Sequence, residues 1–235
     1  MKEQIASLHI APLTQINLPD GDHASACILQ FPRRRILLTV AHAVANGKNW
    51  TLAHRYVPGK GMQHYQLGGM NVLQHFELRK RKIKSHPIDF AYVTVPDSLE
   101  PMDEVLDSQG NVISSRAKKI LPARFIEPSP EQTYGFFGLT RHRLDDEFHL
   151  LMTSKLETGL KYVGEKDGLL RFKCRERYHD YEEYHGCSGA PVLNELGELV
   201  SLVVEGSDDR REILGLNLKR CWPALLVEAG EFSIC

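Results

Sequence analysis

The chain has 235 residues, with 29 lysine and arginine residues against 30 aspartate and glutamate residues and a net charge of −1. Because dedicated nucleic-acid binders usually carry a strongly basic surface, this balance argues against nucleic acid as a partner. No apolar run approaches the roughly 18 residues that a membrane-spanning helix needs, and residues 1–13 lack the charged-then-apolar pattern of a signal peptide. We therefore expect a cytoplasmic protein that does not bind membranes.

Short apolar segments rich in Val, Ile, Leu and Phe predict strands along most of the chain. They cover residues 26–30, 36–40, 90–95, 134–139, 169–174, 191–193, 199–204 and 213–218. Helices are few: residues 41–45 fit a single turn, and an early proline with a glycine at the stop predicts a short helix over 223–230. Many short strands with polar turns between them indicate an all-β barrel or sandwich.

The stretch from residue 96 to residue 130 has weak periodicity and five prolines, which is typical of a connection between two halves. We predict an N-terminal β-domain over 1–105, a linker over 106–130 and a C-terminal β-domain over 131–235. The five cysteines are scattered and form no CxxC pair, and the histidines show no HExxH spacing. We therefore expect free thiols, no metal site and no cofactor.

Three short segments combine residue types that carry hydrolytic chemistry. Residues 38–42 read Leu-Thr-Val-Ala-His, residues 88–91 read Ile-Asp-Phe-Ala, and residues 186–191 read Gly-Cys-Ser-Gly-Ala-Pro. Each segment alone fits a structural role, because a histidine after an apolar strand, an aspartate before one and a glycine-rich turn are all common. Together they place His42, Asp89 and Ser188 in the chain order found in chymotrypsin, which differs from the subtilisin and α/β-hydrolase orders.

The same segments resemble the chymotrypsin/trypsin family of serine peptidases over roughly residues 24–222, and residues 199–207 resemble a further segment of that family. The resemblance implies two six-stranded antiparallel β-barrels with a short C-terminal helix. It also implies a catalytic triad of His42, Asp89 and Ser188, with the N–H groups of Gly186 and Ser188 forming the oxyanion hole. Such a serine needs an adjacent base, and the aspartate holds the histidine in the right tautomer.

The resemblance also points to substrate-binding residues. Glu182 falls at the position of the family's pocket bottom, Glu183 follows it, and Glu205 stands where the family has an aromatic pocket wall. These acids would favour Arg or Lys at the cleavage site, unless residues 178–184 form a solvated loop. Val204, Glu205 and Gly206 would pair with the substrate backbone as an added strand.

Cys187 stands where secreted members of the family carry the aspartate that pairs with a new N-terminal amine after cleavage. We therefore predict that N-terminal cleavage does not activate this protein. Cys187 also invites a rival interpretation as the nucleophile, but the Gly-x-Ser-Gly frame favours Ser188. Ala43 replaces a family cysteine, so Cys27 lacks the disulfide partner that the resemblance assigns to it and fits a small buried hydrophobe.

The sequence thus predicts a trypsin-like serine endopeptidase that hydrolyses protein or peptide substrates through an acyl-enzyme. An activating protein partner, in a bacterial stress or defence system, is a further hypothesis. The alternative is a non-catalytic binding module that retains the protease fold. Two basic runs, over 33–35 and 79–84, are interpreted as solvated loops rather than as a nucleic-acid site.

Overall fold

The computed structural model describes residues 11–15, 23–45, 49–79, 82–107, 109–144, 150–178, 184 and 186–231. In these ranges the chain is mostly β-strand, with two short α-helices and a 3-10 turn near the C-terminus. The helices are α1 (Ala41–Val44) and α2 (Trp222–Ala229), and the 3-10 turn is Leu218–Arg220. No helix in these ranges is long and apolar enough to cross a membrane.

The first half of the chain forms one sheet around a small apolar core. Its strands are β1 (Ala11–Gln15), β2 (His23–Gln30), β3 (Arg35–Thr39), β4 (Trp50–Val57), β5 (Gly61–Gln66), β6 (Asn71–Arg79) and β7 (Lys82–Val95). They follow the order β5-β4-β1-β2-β3-β7-β6, with antiparallel pairing throughout. A short strand, β10 (Leu121–Pro122), adds to β2 in parallel and makes the sheet eight-stranded.

The second half forms a closed six-stranded barrel. Its strands are β11 (Tyr134–Leu144), β12 (Leu150–Lys166), β13 (Leu169–Lys173), β14 (Pro191–Asn194), β15 (Leu199–Gly206) and β16 (Glu212–Asn217). The barrel closes in the order β11-β12-β13-β16-β15-β14. Two further strands, β8 (Met102–Leu106) and β9 (Val112–Ala117), pair with each other between the two halves in sequence.

The all-β class, the six-stranded barrel of the second half and the short C-terminal helix are confirmed. Helix α2 ends as predicted at Gly230. This glycine is the C-cap residue and has the left-handed conformation, with a φ of 72°. The first half forms an eight-stranded sheet where the resemblance implied six strands. Strands β4, β5 and β6 were not predicted from the apolar pattern, because they carry many polar residues with partly exposed side chains. Within the predicted linker 106–130 the chain forms β9 and β10, and the proposed domain boundaries stay a prediction.

A shared apolar core joins the two halves. Phe90 and Cys27 of the first half, both fully buried, belong to one cluster with Leu202 and Val204 of β15 and Leu225 of α2. The other face of β15 points into the second barrel, with Val200 and Val203 in that barrel's own core. This double burial explains why residues 199–204 read as an almost continuous apolar run.

The described cysteines are Cys27, Cys174, Cys187 and Cys221, and all four are buried free thiols. The thiol of Cys27 is fully buried in the shared core, and this burial raises its pKa. This matches the interpretation of Cys27 as a small buried hydrophobe.

The core of the second barrel should dominate the stability of that half. Phe136 is completely buried there, whereas Phe76 on β6 is 63% exposed. Phe136→Ala should lower the free energy of unfolding by about 3–5 kcal/mol through lost burial and a residual cavity. Phe76→Ala, the matched control, should change it by less than about 0.5 kcal/mol. Urea unfolding measures both, and equal effects of the two substitutions would contradict the packing described.

Candidate active site

His42 and Asp89 meet at the point where β3 ends. Strand β3 stops at Thr39, which is paired with Ala91 of β7, and α1 begins two residues later. Asp89 lies on β7 just beyond this last pair. The pairing of β7 with β6 shifts register here, from Val72↔Ala91 to Gln74↔Pro87, so the backbone around Asp89 bulges out of the ladder.

The Asp89 carboxylate holds His42 at two points. Oδ1 accepts a hydrogen bond from the backbone N–H of His42 at 2.8 Å, and Oδ2 lies 2.7 Å from the ring Nδ1. An ionised carboxylate can only accept hydrogen bonds, so Nδ1 carries the proton. In the neutral ring the lone pair is therefore on Nε2, which faces the second half of the chain.

Ser188 lies on the other side of the ring. Its Oγ is 3.1 Å from His42 Nε2 and also 3.1 Å from the backbone oxygen of Val204. A hydroxyl has one hydrogen, so it donates either to the ring or to the carbonyl at any moment. The structure thus brings together His42, Asp89 and Ser188, in the contacts expected from the sequence.

Both ionisable partners are shifted in the direction that favours an ion pair. The hydrogen bond to Asp89 raises the pKa of His42 above its usual 6.5, against the opposing effect of burial, and the charges of Asp89 and Glu205 add to the increase. Burial acts to raise the pKa of Asp89. The bonds from the His42 ring and from the backbone of Ala41 and His42 outweigh it, so the pKa of Asp89 is lowered.

The turn that carries Ser188 is fixed by its own backbone. Cys187 N–H donates to Tyr184 O at 2.9 Å, and Gly186 has a φ of 93°. Glycine adopts such a positive φ without steric cost. Ala190 N–H then donates to Cys187 O at 2.9 Å and closes the next turn around Ser188.

Two amides of this turn have no acceptor among the described residues. They are the N–H groups of Gly186 and Ser188, while the neighbouring Cys187, Gly189 and Ala190 amides all donate to backbone oxygens. Gly186 is buried and Ser188 is partly buried. Buried amides are almost always paired in folded proteins, so two such donors on either side of Cys187, in the turn that carries the hydroxyl, indicate a place for an oxygen atom of a ligand.

The Cys187 side chain points away from this site. It is completely buried, and its Sγ packs so tightly on Gly138 of β11 that a Cβ atom there would lie 2.7 Å from the sulfur. Burial raises the pKa of the Cys187 thiol to about 12. A thiol that stays protonated and faces the barrel core has neither the charge nor the access of a nucleophile.

Strand β15 runs past the site with part of its edge open. Strand β14 pairs with residues 199–202 of β15 only, and Val203 is bonded to the Ser188 turn. A register shift between Val203 and Glu205 places Val204 in a bulge, which leaves its carbonyl free to face Ser188. Glu205 is exposed beside it. Glu182 and Glu183, the other predicted pocket residues, lie outside the described residues.

Tyr178 and Tyr184, at the two ends of the segment 178–184, are buried. The sequence had left open the alternative that this segment is a solvated loop. Tyr178 Oη donates to the backbone oxygen of Ser207 at 2.9 Å and packs directly on Gly206. Tyr184 Oη donates to Glu157 at 2.7 Å, and the two rings meet edge to face at 4.7 Å. These contacts brace β15 against the Ser188 turn, and only their aromatic character could have suggested burial in advance.

An apolar cavity of about 690 Å³ opens beside the His42–Asp89 pair. The sequence did not predict this cavity, because its walls come from α1, β4, β6, β7 and the connection between β5 and β6. The lining includes Val44, Trp50, Met70, Val72 and Ile88. Elsewhere in the described ranges, no group of three or more His, Cys, Asp or Glu side chains is arranged to hold a metal ion.

No protein-family model and no curated protein sequence matches the chain. Solved structures do match. Neuropsin, a serine protease expressed in the limbic system of mouse brain, is 14% identical with a TM-score of 0.57, over 95% of this chain and 96% of its own. Human heparin binding protein is 12% identical with a TM-score of 0.59, and the match covers 97% of this chain and 94% of that protein's chain.

The serine endoprotease from Yersinia pestis is 11% identical with a TM-score of 0.52, over 97% of this chain and 65% of its own. All these identities are low, so the likeness concerns the fold. The chain has the fold of the chymotrypsin-like serine proteases.

The hydrogen bond between His42 and Asp89 leads to a prediction for the pKa of His42. The His42 ring should titrate above 6.5 in the wild-type protein, and Asp89→Asn should lower this pKa because its main cause is removed while burial remains. Glu127→Gln, at an exposed carboxylate paired with Lys219, should leave it unchanged. NMR of the ring protons across pH measures the His42 pKa in the wild type and in both variants. An unchanged His42 pKa in Asp89→Asn would contradict the contact between His42 and Asp89.

Proposed function

We propose that this protein is a serine endopeptidase that hydrolyses peptide bonds in protein or peptide substrates. One observation carries the proposal: the chain of contacts from Asp89 Oδ2 to His42 Nδ1 at 2.7 Å and from His42 Nε2 to Ser188 Oγ at 3.1 Å. The amides of Gly186 and Ser188 support it, since they belong to the same turn as the hydroxyl and have no acceptor among the described residues.

The chemistry follows from these groups. Ser188 Oγ attacks the carbonyl carbon of the scissile bond while its proton passes to His42 Nε2, and Asp89 stabilises the resulting imidazolium. The amides of Gly186 and Ser188 stabilise the oxyanion of the tetrahedral intermediate. As the C–N bond breaks, His42 returns the proton to the leaving amine, and an acyl-enzyme remains on Ser188. Water, deprotonated by His42, then hydrolyses this ester.

The substrate backbone would bind along the open edge of β15. The Val204 carbonyl is available as an acceptor, and Glu205 and Gly206 continue the strand beyond the end of β14. An extended peptide could add there as an antiparallel strand, which brings its scissile carbonyl to Ser188. A substrate N–H on the Val204 carbonyl would also remove the competing acceptor of the Ser188 hydroxyl.

Glu205 supports a preference for Arg or Lys. The negative charge of Glu205 contributes to the raised pKa of His42. The same charge would attract a cationic substrate side chain near the site. The apolar cavity beside His42 would take an apolar side chain of the same substrate. The role of Glu182, the cytoplasmic location and the activating partner in a stress or defence system stay predictions.

A non-catalytic binding module is the second candidate. The bond of Ser188 Oγ to the Val204 carbonyl favours it, because a hydroxyl held there is not activated by His42. Heparin binding protein, one of the structural neighbours, is named for binding rather than for cleavage. Covalent reactivity of Ser188 separates the two candidates.

A fluorophosphonate probe should label the wild-type protein, because it reacts with serine hydroxyls activated by an adjacent base. Ser188→Ala should abolish labelling. Cys187→Ala should keep it, since the thiol is buried and protonated. Ser114→Ala, at an exposed serine of β9, is the matched control and should label like the wild type. Labelling that persists in Ser188→Ala would reject the nucleophile, and a folded but unlabelled wild type would favour the binding module.

Glu205→Gln should weaken selection for cationic substrates. We expect the ratio of kcat/KM for Arg or Lys peptides to that for matched Leu peptides to fall about two- to fivefold, as for an exposed charge pair. The acid limb of the pH–rate profile should also move to lower pH, because His42 loses a charge that raises its pKa. Glu127→Gln controls for net charge. An unchanged ratio and an unchanged profile would exclude Glu205 from the site.

A further inference from the structure

Ser25 is a buried polar residue between two buried alanines near the start of β2. It belongs to the first half of the chain, yet it lies against the turn that carries Ser188, 161 positions away from its partner Gly186. Its side chain is completely buried, so its hydroxyl must be paired within the protein.

Every polar group of Ser25 is hydrogen-bonded, and its hydroxyl and its N–H bond across to the second half. Its hydroxyl donates to Gly186 O at 3.0 Å and accepts from Leu139 N–H of β11 at 3.0 Å. Its backbone N–H donates to Ser188 O at 3.0 Å. Its own carbonyl accepts from Thr39 Oγ1 at 2.8 Å. One residue therefore connects β2, β3 and β11 to the Ser188 turn.

These bonds fix the peptide planes on both sides of the Ser188 amide. Gly186 O and Ser188 O both point to Ser25, while Cys187 O accepts from Ala190. The planes before, at and after the Cys187–Ser188 peptide are thus each held by a hydrogen bond. Because N–H and C=O of one peptide point in opposite directions, the Ser188 N–H is left facing outward.

We propose that Ser25 is a positioning residue that holds the oxyanion-binding turn in its catalytic conformation through its side-chain hydroxyl. This inference rests on the proposed function and deepens it. Cys187 is buried against Gly138 and offers no carboxylate for an ion pair, so a neutral hydroxyl from the other half anchors the turn instead. The contact of the two halves, rather than an ionic contact, thus holds the turn in place.

The Ser25 hydroxyl can be tested by two substitutions that differ in what they remove. Ser25→Ala removes the hydroxyl and leaves Gly186 O and Leu139 N–H unpaired. Ser25→Cys keeps a small, unbranched side chain of somewhat larger volume but offers only a weak hydrogen-bond donor. Both should lower kcat about 10- to 100-fold through misplacement of the oxyanion donors, with KM changed less than about twofold. Ser114→Ala should match the wild type.

Two readouts separate this role from simple packing. A packing role would leave Ser25→Cys near wild type, whereas a hydrogen-bonding role impairs it. Exchange of the hydrogen-bonded amides of Cys187, Gly189 and Ala190 should be faster in both variants, while the NMR titration of His42 stays unchanged. Unfolding curves establish the temperature range in which each variant is folded.

The outcomes of this experiment are distinct from those of the labelling test. If the wild type cleaves peptides and Ser25→Cys and Ser25→Ala keep its kcat and its exchange rates, Ser25 has no positioning role. If the wild type is folded but never cleaves or labels, the proposed function fails. Hydrogen exchange then still decides whether Ser25 holds the turn: faster exchange supports this, and unchanged exchange overturns it.

Discussion

The site depends on one close contact between the two halves, at Gly189. A Cβ atom on this residue would lie 2.1 Å from Ser25 O and 2.2 Å from Thr39 Oγ1, and its φ of 87° also favours glycine. The turn therefore lies directly on β2 and β3. Thr39 ends the strand that leads into His42, so the contact that seats Ser188 also sets its distance from the histidine.

The rest of the structure maintains this contact. The apolar core shared by Phe90, Leu202, Val204 and Leu225 joins the halves directly behind the site. Val204 illustrates the coupling: its side chain is buried in that core, while its carbonyl faces Ser188. The ion pair of Arg34 with Glu228, which joins the two halves at 3.6 Å, is partly exposed to solvent. Packing rather than ion pairing therefore holds the halves together.

The sequence was sufficient to predict what short segments encode. His42, Asp89 and Ser188 each lie in a distinctive local pattern, and their order indicated that they would meet. The role of Ser25 could not be predicted, since Ala-Ser-Ala in a strand carries no signal and its partners are remote in sequence. The additional strands of the first sheet were missed for a related reason, because half-exposed strands have weak apolar patterns.

A crystal structure with a peptide boronic acid tests the central claim most directly, because such a compound forms a tetrahedral adduct that resembles the transition state. The expected result is a covalent bond from boron to Ser188 Oγ, with one boronate oxygen about 3 Å from the amides of Gly186 and Ser188. The substrate-like strand should lie along β15. A boronic acid bound without a bond to Ser188, with that hydroxyl still on the Val204 carbonyl, would contradict the claim.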